Sequence, residues 1–516
     1  MPKLTIDHGL IFFPRGGSAL VAKNLTEQLR ASGHPSRVFA GSLGSPGDYS
    51  HAPTFYDPDH LIASDYNPAA SVHGAGDPLE APVPMHPSYE DRPGVADRVF
   101  AAVAPHTNTH LEDYWTRQFA AHRAGEAGLL HLHHLTPQHA AARRLERTVV
   151  TTLHGTDIKF LQHALDRVRR ARDAGATLAE LARRERPAAS PAPAGSASER
   201  WNQWTHSAYW IQTLREYAQA SSHIVTVSEQ DQALARDLLH VPEHRIEVIP
   251  NGVDTTLFHP APAPDDAARR RLLQRWLVHD PHGWTPTGGP GTVSYTPADV
   301  DRLLRDDHGR RRPLLLWVGR FLGFKRLDLL LHAFAALTKN APVRPALLLL
   351  GGFPGEWEGE HPHALAERLG LAADVYFAGW RPHTDLTEAL NASDLFVTPS
   401  IGEPFGLVCL EAMATATPVV AAASGGPLAT INPSGPQPTG WLTVPGDADD
   451  LAATLLSAIT NPQEITRRGH NARRFVLLHY SWQTIADRYA QTYDRVQGAV
   501  HVGHVPLRTV RRPTLM

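Results

Sequence analysis

Short apolar runs alternate with amphipathic stretches along most of this 516-residue chain, and this alternation limits the possible folds more than any other feature. Most of the runs are apolar at consecutive positions, which is typical of parallel strands buried on both faces. The stretches between them carry a helical pattern, as at 328–340 and 385–393. Strand, helix and strand in repetition predict an α/β fold with doubly wound parallel sheets. The predicted strands lie at 129–134, 148–154, 223–228, 245–250, 313–319, 345–352, 374–380, 394–400 and 418–422.

Two segments interrupt this pattern. Residues 186–200 are rich in Pro, Ala and Ser and predict a flexible surface loop. Residues 261–312 separate two groups of predicted strands and are interpreted as an elaborated connection. The chain is also too long for one average domain. We therefore expect two sheet domains.

Composition argues against several kinds of partner. The formal net charge of −3 argues against nucleic acid or an anionic membrane as the main partner. Cys409 is the only cysteine, so no intrachain disulfide can form. No run approaches the roughly 18 apolar residues of a transmembrane segment, and the first residues lack the features of a signal peptide. A cytoplasmic protein is expected.

Two carboxylates, Glu403 and Glu411, stand where a predicted strand passes through a turn into a helix. Pro404 suits the first helical position, and Gly406 lets another group approach the backbone. Open α/β sheets bind ligands at such junctions, where free N–H groups attract anions. A helix would separate the two acids by roughly 12 Å, which suits the binding of two parts of one long ligand through its hydroxyl groups. Taken singly, Glu403 can be a helix-start acid favoured by the helix dipole, and Glu411 a solvated helix residue.

A second junction follows the predicted strand 313–319 and carries two cations, Arg320 and Lys325. Arg offers a planar fork of donors and Lys a point charge, and together they can clamp a diphosphate. Each charge-assisted hydrogen bond contributes on the order of 1.5–3 kcal/mol. The alternative is that both are solvated loop cations.

Two further signals lie in the first half of the chain. Gly16 and Gly17 precede a helical pattern and would let a loop touch phosphate or sugar, although any tight turn can use such a pair. His154 ends a predicted strand beside Gly155. A lone histidine is often structural, but a position at a strand end, shared with the other motifs, favours a functional role.

Together these motifs resemble those of the retaining glycosyltransferases of family 4, which have the GT-B fold. The matching motifs span nearly the whole chain, in the order that the family has them. Among family members, the motif TTLHGTDI resembles especially the bacillithiol and aminoglycoside glycosyltransferases, and other stretches resemble actinobacterial members. The resemblance implies two doubly wound, Rossmann-like domains that face each other across a cleft. The matches are the glycine pair 16–17, LHGTDI (153–158), VTVSE (225–229), VIPNGVD (248–254), VGR…K (318–325), AGW (378–380) and EPFGLVCLEAMA (403–414).

The resemblance also implies a division of the chain and a role for each matched residue. The division is an acceptor-binding domain over 1–255, a connection over 256–312, a nucleotide-sugar-binding domain over 313–480, a helix over 481–500 that returns to the first domain, and a tail over 501–516. In this implied division of roles, the donor diphosphate is bound by Arg320, Lys325, Gly16 and Gly17. The sugar hydroxyls are bound by Glu403 and the backbone of Phe405, Gly406 and Leu407, and His154 approaches the sugar near its reacting carbon. Glu411 binds the ribose, and the backbone around Trp380 and Arg381 contacts the nucleobase.

The implied activity is transfer of a hexosyl group from a nucleoside diphosphate sugar, with a UDP-sugar favoured, to a hydroxyl of a small-molecule or glycan acceptor. The acceptor oxygen would attack the face that the leaving group vacates, and no metal or other cofactor would be needed. Two alternatives stay open: a nucleotide-sugar epimerase or hydrolase of the same fold, and an inactive nucleotide-sugar-binding protein. The oligomeric state is not readable from the sequence.

No metal site is predicted. Metal-dependent transferases of a different fold use an Asp-x-Asp triplet after a strand, and none of the three triplets here, at 57–59, 299–301 and 447–449, is placed in that way. Asp299 is better explained by a helix capping box with Thr296.

A histidine cluster at 131–139 does not change this prediction. Alternation along a strand points His131 and His133 to one side and His134 to the other. No Cys or acid completes a metal site, which favours packing or acceptor recognition.

Overall fold

A computed structural model describes residues 3–72, 76–90, 97–184, 204–261, 266–403 and 405–501. The predicted loop at 186–200, Pro404 and all but the first residue of the predicted tail lie outside these ranges. The chain forms two compact units. The first comprises Met1–Pro250 with Ile485–Met516, and the second comprises Asn251–Thr484.

The first unit contains a seven-stranded parallel sheet in the order β3-β2-β1-β4-β5-β6-β7. Four of its strands were predicted from consecutive apolar residues, and β1 to β3 were not. β1 carries the polar residues Asp7 and His8, which are buried all the same. The strands are β1 Thr5–Leu10, β2 Ser36–Ser42, β3 Leu61–Asp65, β4 Gly128–His133, β5 Val149–Leu153, β6 His223–Thr226 and β7 Ile246–Val248.

The second unit contains a six-stranded parallel sheet in the order β10-β9-β8-β11-β12-β13. Five of these strands confirm the predictions, and β13 was not predicted because it is short and begins with a glycine. The strands are β8 Leu314–Gly319, β9 Ala346–Gly351, β10 Val375–Gly379, β11 Leu395–Thr398, β12 Val419–Ala422 and β13 Gly440–Thr443. Two parallel sheets, each with its own helices, confirm the doubly wound, Rossmann-like fold class.

Helices follow most of the strands in both units. In the first part of the chain they are α1 Gly17–Ala31, α2 Ala52–Phe55, α3 Asn67–Ser71, α4 Pro105–Ala121, α5 Gln138–Arg144, α6 Thr156–Asp173, α7 Leu178–Arg184, α8 Ser207–Ala220 and α9 Glu229–Leu239. From residue 251 they are α10 Asp266–Gln274, α11 Pro297–Leu304, α12 Leu327–Asn340, α13 Pro362–Arg368, α14 Leu386–Ala392, α15 Leu407–Ala414, α16 Pro427–Thr430, α17 Ala448–Ile459, α18 Pro462–His479 and α19 Trp482–His501. Short 3-10 helices lie at Pro58–His60, Pro78–Glu80, Phe100–Ala102, Glu243–Arg245, Gly323–Lys325 and His383–Asp385, and a π-helix at Arg275–His279.

Each sheet is covered by apolar helix faces. In the second unit, α12 places Leu330, Phe334 and Leu337 in one buried cluster with Leu347 and Leu349 of β9. Each fully buried side chain of this size contributes about 1.5–3 kcal/mol. The helices predicted at 328–340 and 385–393 are therefore confirmed as α12 and α14. No described helix is long and apolar enough to cross a membrane.

The described part of the stretch interpreted as a connection packs within the second unit. Tyr295 accepts a hydrogen bond at its hydroxyl from the backbone N–H of Phe377, at 2.9 Å. Thr296 and Asp299 form the predicted capping box at the start of α11. The C-terminal helix α19 is divided between the two units, because its residues from Ile485 onward belong to the first unit.

The helix that carries Glu411 begins later than predicted. α15 starts at Leu407, and its N-cap residue is Gly406 with φ of 77°, a left-handed conformation that favours glycine. Glu403 lies in the loop before the helix. The prediction that Glu403 and Glu411 are spaced along one helix was therefore wrong, while the predicted position of Pro404 lies outside the described residues.

Candidate functional site

The carboxyl ends of β8 and β11, which are neighbours in the second sheet, bring Lys325 and Glu403 together. Lys325 ends the short 3-10 helix after β8, and its Nζ lies 2.5 Å from Oε2 of Glu403 in the loop after β11. The backbone N–H of Ile401 donates to the carbonyl of Phe324 at 2.8 Å and ties these two loops to each other. A cation and a carboxylate are thus in contact at the carboxyl ends of the strands, where open α/β folds bind ligands.

A glycine-rich loop fixes the backbone of Glu403. The N–H of Gly426 donates to the carbonyl of Glu403 at 2.9 Å. A Cβ added to Gly425, which has a φ of 65°, would lie only 2.1 Å from that same carbonyl oxygen. Glycine is therefore required at Gly425 for both conformation and close approach. The sequence ASGGP after β12 is therefore the signal that could have predicted this glycine-rich loop against the backbone of Glu403.

Arg320 lies at the same end of β8 but has a different partner. Its Nη1 donates to Oε1 of Glu356 at 3.1 Å, and Glu356 lies in the loop after β9. Arg320 and Lys325 both follow the carboxyl end of β8, as predicted. Each side chain is half-buried and lies beside a carboxylate. The partner Glu356 was not foreseen.

Glu411 is buried, with 4% of its surface exposed, and only one of its oxygens is paired. Oε1 lies 2.7 Å from Nε2 of His383. Oε2 has no hydrogen-bond partner among the residues described by the structure. A buried polar atom without a partner costs about 1–3 kcal/mol, so this oxygen is a candidate acceptor for a ligand donor such as a hydroxyl group.

The buried thiol of Cys409 on α15 is influenced by the charges of three site residues. Burial, followed by the charges of Glu403 and Glu411 and opposed by that of Lys325, raises the pKa of the Cys409 thiol to about 12. All three charged groups therefore lie within electrostatic reach of one thiol on α15. The first turn of α15 contains no acidic residue and receives no side-chain cap from the described residues, so the N-terminal end of this helix can attract an anion.

An aromatic pair lies at the ends of β9 and β10. Trp380 is 39% exposed and Phe353 is 44% exposed, and their ring centroids lie 5.6 Å apart. Phe353, which follows the Gly-Gly at the end of a predicted strand, was missed in the sequence. Such a pair can pack against a flat ring of a ligand.

The side chain of Arg381 has a structural role. Its guanidinium is buried and donates to Oδ2 of Asp280 at 2.6 Å and to the carbonyl of Trp276 at 3.0 Å. These contacts fasten β10 to the π-helix at Arg275–His279. Because the side chain is occupied by these contacts, only the backbone of Arg381 can contact a ligand. The family resemblance also implies a backbone contact at this position.

The remaining predicted residues lie in the first unit. Gly16 has a φ of 74° and is the N-cap residue of α1, and Gly17 is the first residue of that helix. A Cβ added to Gly16 would meet no atom within 4 Å, so the conformation and not the available space favours glycine there.

His154 follows β5 and is half-buried. Its Nε2 lies 3.0 Å from Nδ1 of His133, and its backbone N–H donates to Oδ2 of Asp157 at 3.2 Å. Burial, and then the charge of His134, lowers the pKa of His154 well below its ordinary value. The imidazole is therefore neutral at neutral pH.

Asp157 anchors the loop that carries His154. Its carboxylate accepts from Nδ1 of His134 at 2.9 Å and from the backbone N–H of Leu135 at 3.0 Å. Burial alone would raise the pKa of Asp157, but His134 and these hydrogen bonds outweigh burial and lower that pKa to about 2. His134 follows the end of β4 with a φ of 68°, and its ring centroid lies 4.7 Å from that of His154.

A third histidine joins His131 and His133. His8 of β1, which was overlooked in the sequence, lies beside them, and ring nitrogens of the three lie within 4.8 Å of one another. Hydrogen bonds already account for five of their six ring nitrogens; the exception is Nε2 of His8.

Two protein-family models match the chain. The model described as Glycosyltransferase Family 4 matches residues 15–257, and the model described as Glycosyl transferases group 1 matches residues 302–475. Together they cover most of both units.

Curated proteins similar to the chain share one description. D-inositol 3-phosphate glycosyltransferase 2 of Catenulispora acidiphila is 36% identical over 222 residues, which are 40% of this chain and 51% of that protein. D-inositol 3-phosphate glycosyltransferase of Kineococcus radiotolerans is 30% identical over 292 residues, 54% of this chain and 59% of that protein. The chain thus spans about half the length of the curated relatives it matches.

Solved structures share the fold. Sucrose-phosphate synthase from Thermosynechococcus elongatus has a TM-score of 0.61 at 20% identity, over 96% of this chain and 100% of that chain. Anabaena Alr3699/HepE in complex with UDP and glucose has a TM-score of 0.58 at 19% identity, over 95% and 99%. At this level of identity the likeness shows the fold alone.

Proposed function

Because the chain belongs to glycosyltransferase family 4, we propose that it transfers a sugar from a nucleoside diphosphate sugar to a hydroxyl group of an acceptor, with retention of the anomeric configuration. The observation that carries this proposal is the group at the start of α15. There Lys325 pairs with Glu403, and Glu411 has a buried oxygen that no described residue contacts with a hydrogen bond. A cation, an uncapped helix start and two carboxylates match a ligand that has both phosphates and hydroxyl groups.

The diphosphate is the part of the donor that needs cations. Arg320 and Lys325 would stabilise the negative charge that grows on the diphosphate as the bond between sugar carbon and phosphate oxygen breaks. With the diphosphate bound, Lys325 would have anions on two sides, which supports a fixed position for its ammonium group. From the family resemblance, Gly16 and Gly17 at the start of α1 would offer backbone donors to a phosphate.

The carboxylates would bind the hydroxyl groups of the donor. Glu403 is held by backbone contacts and would accept from hydroxyls of the sugar, with backbone N–H groups of Phe405, Gly406 and Leu407 nearby in sequence. Oε2 of Glu411 would accept from a ribose hydroxyl, while His383 holds the other oxygen. A ligand hydroxyl would remove the penalty of a buried, unpaired acceptor.

The base would pack beside Trp380 and Phe353. Stacking of a base on an aromatic side chain contributes about 1–3 kcal/mol and tolerates any base. A UDP-sugar is the first donor to test, as the family resemblance of the motifs favours it. The relatives at 30–36% identity are named for D-inositol 3-phosphate, which supports a small polyhydroxylated acceptor.

The proposed reaction needs few protein groups. The bond between the anomeric carbon and the phosphate oxygen breaks, the acceptor oxygen forms its bond on the same face, and a phosphate oxygen of the leaving group takes the acceptor proton. The protein supplies charge stabilisation and position, and no metal ion is required in this scheme.

The experiment is a donor screen that measures free nucleoside diphosphate from a panel of nucleotide sugars, followed by mass spectrometry of products formed with polyols and a cell extract. Slow release without acceptor and a glycosylated product with acceptor are expected. An epimerised sugar would instead support the epimerase alternative, hydrolysis without any transfer product would support a hydrolase, and binding without turnover would support an inactive binder.

A further inference from the structure

His154 is the outer end of a row of three histidines in the first unit. Nε2 of His154 lies 3.0 Å from Nδ1 of His133, and Nε2 of His133 lies 3.2 Å from Nδ1 of His8. Adjacent rings are inclined by only 21° and 25°, with centroids 5.3 and 5.5 Å apart. Both nitrogen–nitrogen distances lie in the range of a hydrogen bond, so each contact joins a donor on one ring to an acceptor on the next. We call His8, His133 and His154 the histidine chain.

The three imidazoles are neutral at neutral pH. Burial, followed by the charge of Arg30, lowers the pKa of His8 to about 3. Burial and neighbouring imidazoles lower the pKa values of His133 and His154 well below the ordinary value. A neutral imidazole has one N–H donor and one bare nitrogen that accepts. Because each contact needs one proton, the histidine chain has two consistent states: all three rings carry the proton on Nδ1, or all three carry it on Nε2.

The inner end of the histidine chain distinguishes the two states. Nε2 of His8 is buried and has no hydrogen-bond partner within the described ranges. In the all-Nε2 state this nitrogen would be a buried donor without an acceptor, and buried N–H groups without partners are rare in folded proteins. In the all-Nδ1 state only a lone pair is left unpaired. We propose that His8 and His133 are positioning residues that hold His154 in its Nδ1–H tautomer, so that it presents a donor beyond the end of β5.

Neighbouring contacts keep the histidine chain in place. His131 stacks on His133 with centroids 4.5 Å apart. Both nitrogens of His131 are occupied, by Oγ1 of Thr152 and by the hydroxyl of Tyr493, each at 2.7 Å. His154 is held from the other side by the bond between its backbone N–H and Asp157. The rings are therefore fixed while the proton positions are set by hydrogen bonding.

A metal ion is the competing explanation for three histidines at this spacing. A divalent ion on His8, His131 and His133 would have to displace one hydrogen bond of His131 and one of His133, because both ring nitrogens of these two residues are hydrogen bonded. It would also place two positive charges in the interior beside neutral ligands, which is costly without a compensating anion. The hydrogen bonds therefore favour the histidine chain over a metal site.

The tautomer matters for catalysis only if the proposed function holds. A donor at Nδ1 of His154 can bind an oxygen that gains negative charge during sugar transfer, whereas a bare nitrogen there repels it. The tautomer itself can be measured without any substrate, which separates the two hypotheses.

The test is nitrogen NMR of the full chain labelled with ¹⁵N-histidine at pH 7, since protonated and bare ring nitrogens resonate in separate ranges. The signals of the histidine chain are assigned by loss in His154→Gln and His133→Asn. Protons on Nδ1 of His154 and His133 are expected in the wild type. A proton on Nε2 of His154 would overturn the proposal, and so would shifts of His8, His131 and His133 on addition of Zn²⁺ alone, because they would show a metal site.

A matched pair of variants tests the transmission from His8. His8→Asn offers an amide N–H at the position of Nδ1 and should leave His154 in its Nδ1–H form. His8→Asp has the same shape but offers only acceptors when ionised, so it should invert both downstream tautomers. The inversion should lower kcat about tenfold, the effect of one lost hydrogen bond, while His8→Asn stays within about twofold. An unchanged His154 tautomer in folded His8→Asp would contradict the proposal. If His8→Asp does not fold, the wild-type measurement decides.

Failure of the two hypotheses can be told apart. Nδ1–H at His154 together with no turnover of any nucleotide sugar would defeat the proposed function and leave the tautomer assignment intact. Sugar transfer together with Nε2–H at His154 would defeat the tautomer assignment and leave the proposed function intact.

Discussion

Nε2 of His383 lies 2.7 Å from Oε1 of Glu411, and the second oxygen of this carboxylate is buried without a partner among the described residues. His383 comes from the turn after β10 and Glu411 from α15. The histidine holds one oxygen and thereby fixes the direction in which the other accepts. In the proposed function this free oxygen binds the ribose of the donor.

Glu411→Gln should weaken donor binding, because an ionised acceptor is replaced by a neutral one. The KM for the donor should rise about tenfold while kcat changes little. Steady-state kinetics with a UDP-sugar measure both constants. Glu388→Gln, which alters an exposed acid on α14, is the matched control and should behave as wild type.

A donor analogue sharpens this prediction. A nucleotide sugar that lacks the ribose hydroxyl should lose little further affinity in Glu411→Gln, since the contact is already absent. Equal losses in wild type and variant would assign Glu411 another role.

The aromatic pair should contribute to donor binding through stacking. Trp380→Ala and Phe353→Ala should each raise the dissociation constant of the free nucleoside diphosphate by roughly ten- to a hundredfold. Calorimetric titration checks this. Leu478→Ala, at an exposed apolar side chain of α18, provides the control. Unaltered affinity in both aromatic variants would place the base elsewhere.

Chelation should not affect turnover. In the proposed scheme Arg320 and Lys325 supply the positive charge that a metal ion supplies in other transferases, so EDTA should leave the rate unchanged. The rate before and after dialysis against EDTA is the measurement. Lost activity that Mg²⁺ restores would contradict the metal-independent mechanism.

Asp157 should make the stability of the fold depend on pH in the acidic range. Its pKa is lowered from 3.8 to about 2 in the folded protein, so its stabilising contribution is present above the unfolded pKa and is lost as pH falls through the folded one. Relative to Asp157→Asn, the wild type should lose about 1 kcal/mol of unfolding free energy between pH 5 and pH 3. Urea unfolding at both pH values measures this difference, with Asp237→Asn as an exposed control. A constant difference would show that Asp157 has the same pKa in the folded and the unfolded protein.

The fold was largely predictable because parallel strands covered on both faces must be apolar along their whole length. β1 escaped prediction because its Asp7 is buried with Arg37 of β2, at 2.8 Å, a partner 30 positions away that no local pattern shows. The extent of α15 was misjudged because the positive φ of Gly406 delays the helix start.

The positions of Arg320 and His154 in the fold were predictable because each residue stands directly after a strand. Parallel topology brings such positions to one edge of a sheet without further information. The supporting partners could not be predicted in the same way. His383, Glu356 and His8 each come from a different strand end or strand, and their contacts depend on sheet order rather than on sequence spacing.

The diphosphate contacts are the centre of the proposed function, and one comparison tests them directly. Release of nucleoside diphosphate from the preferred donor should be measured for the wild type, Arg320→Ala, Lys325→Ala and the exposed control Lys339→Ala, with thermal unfolding to confirm that each variant folds. The proposal predicts that both site variants lose turnover by orders of magnitude while Lys339→Ala retains it. Near-normal rates in folded Arg320→Ala and Lys325→Ala would contradict it.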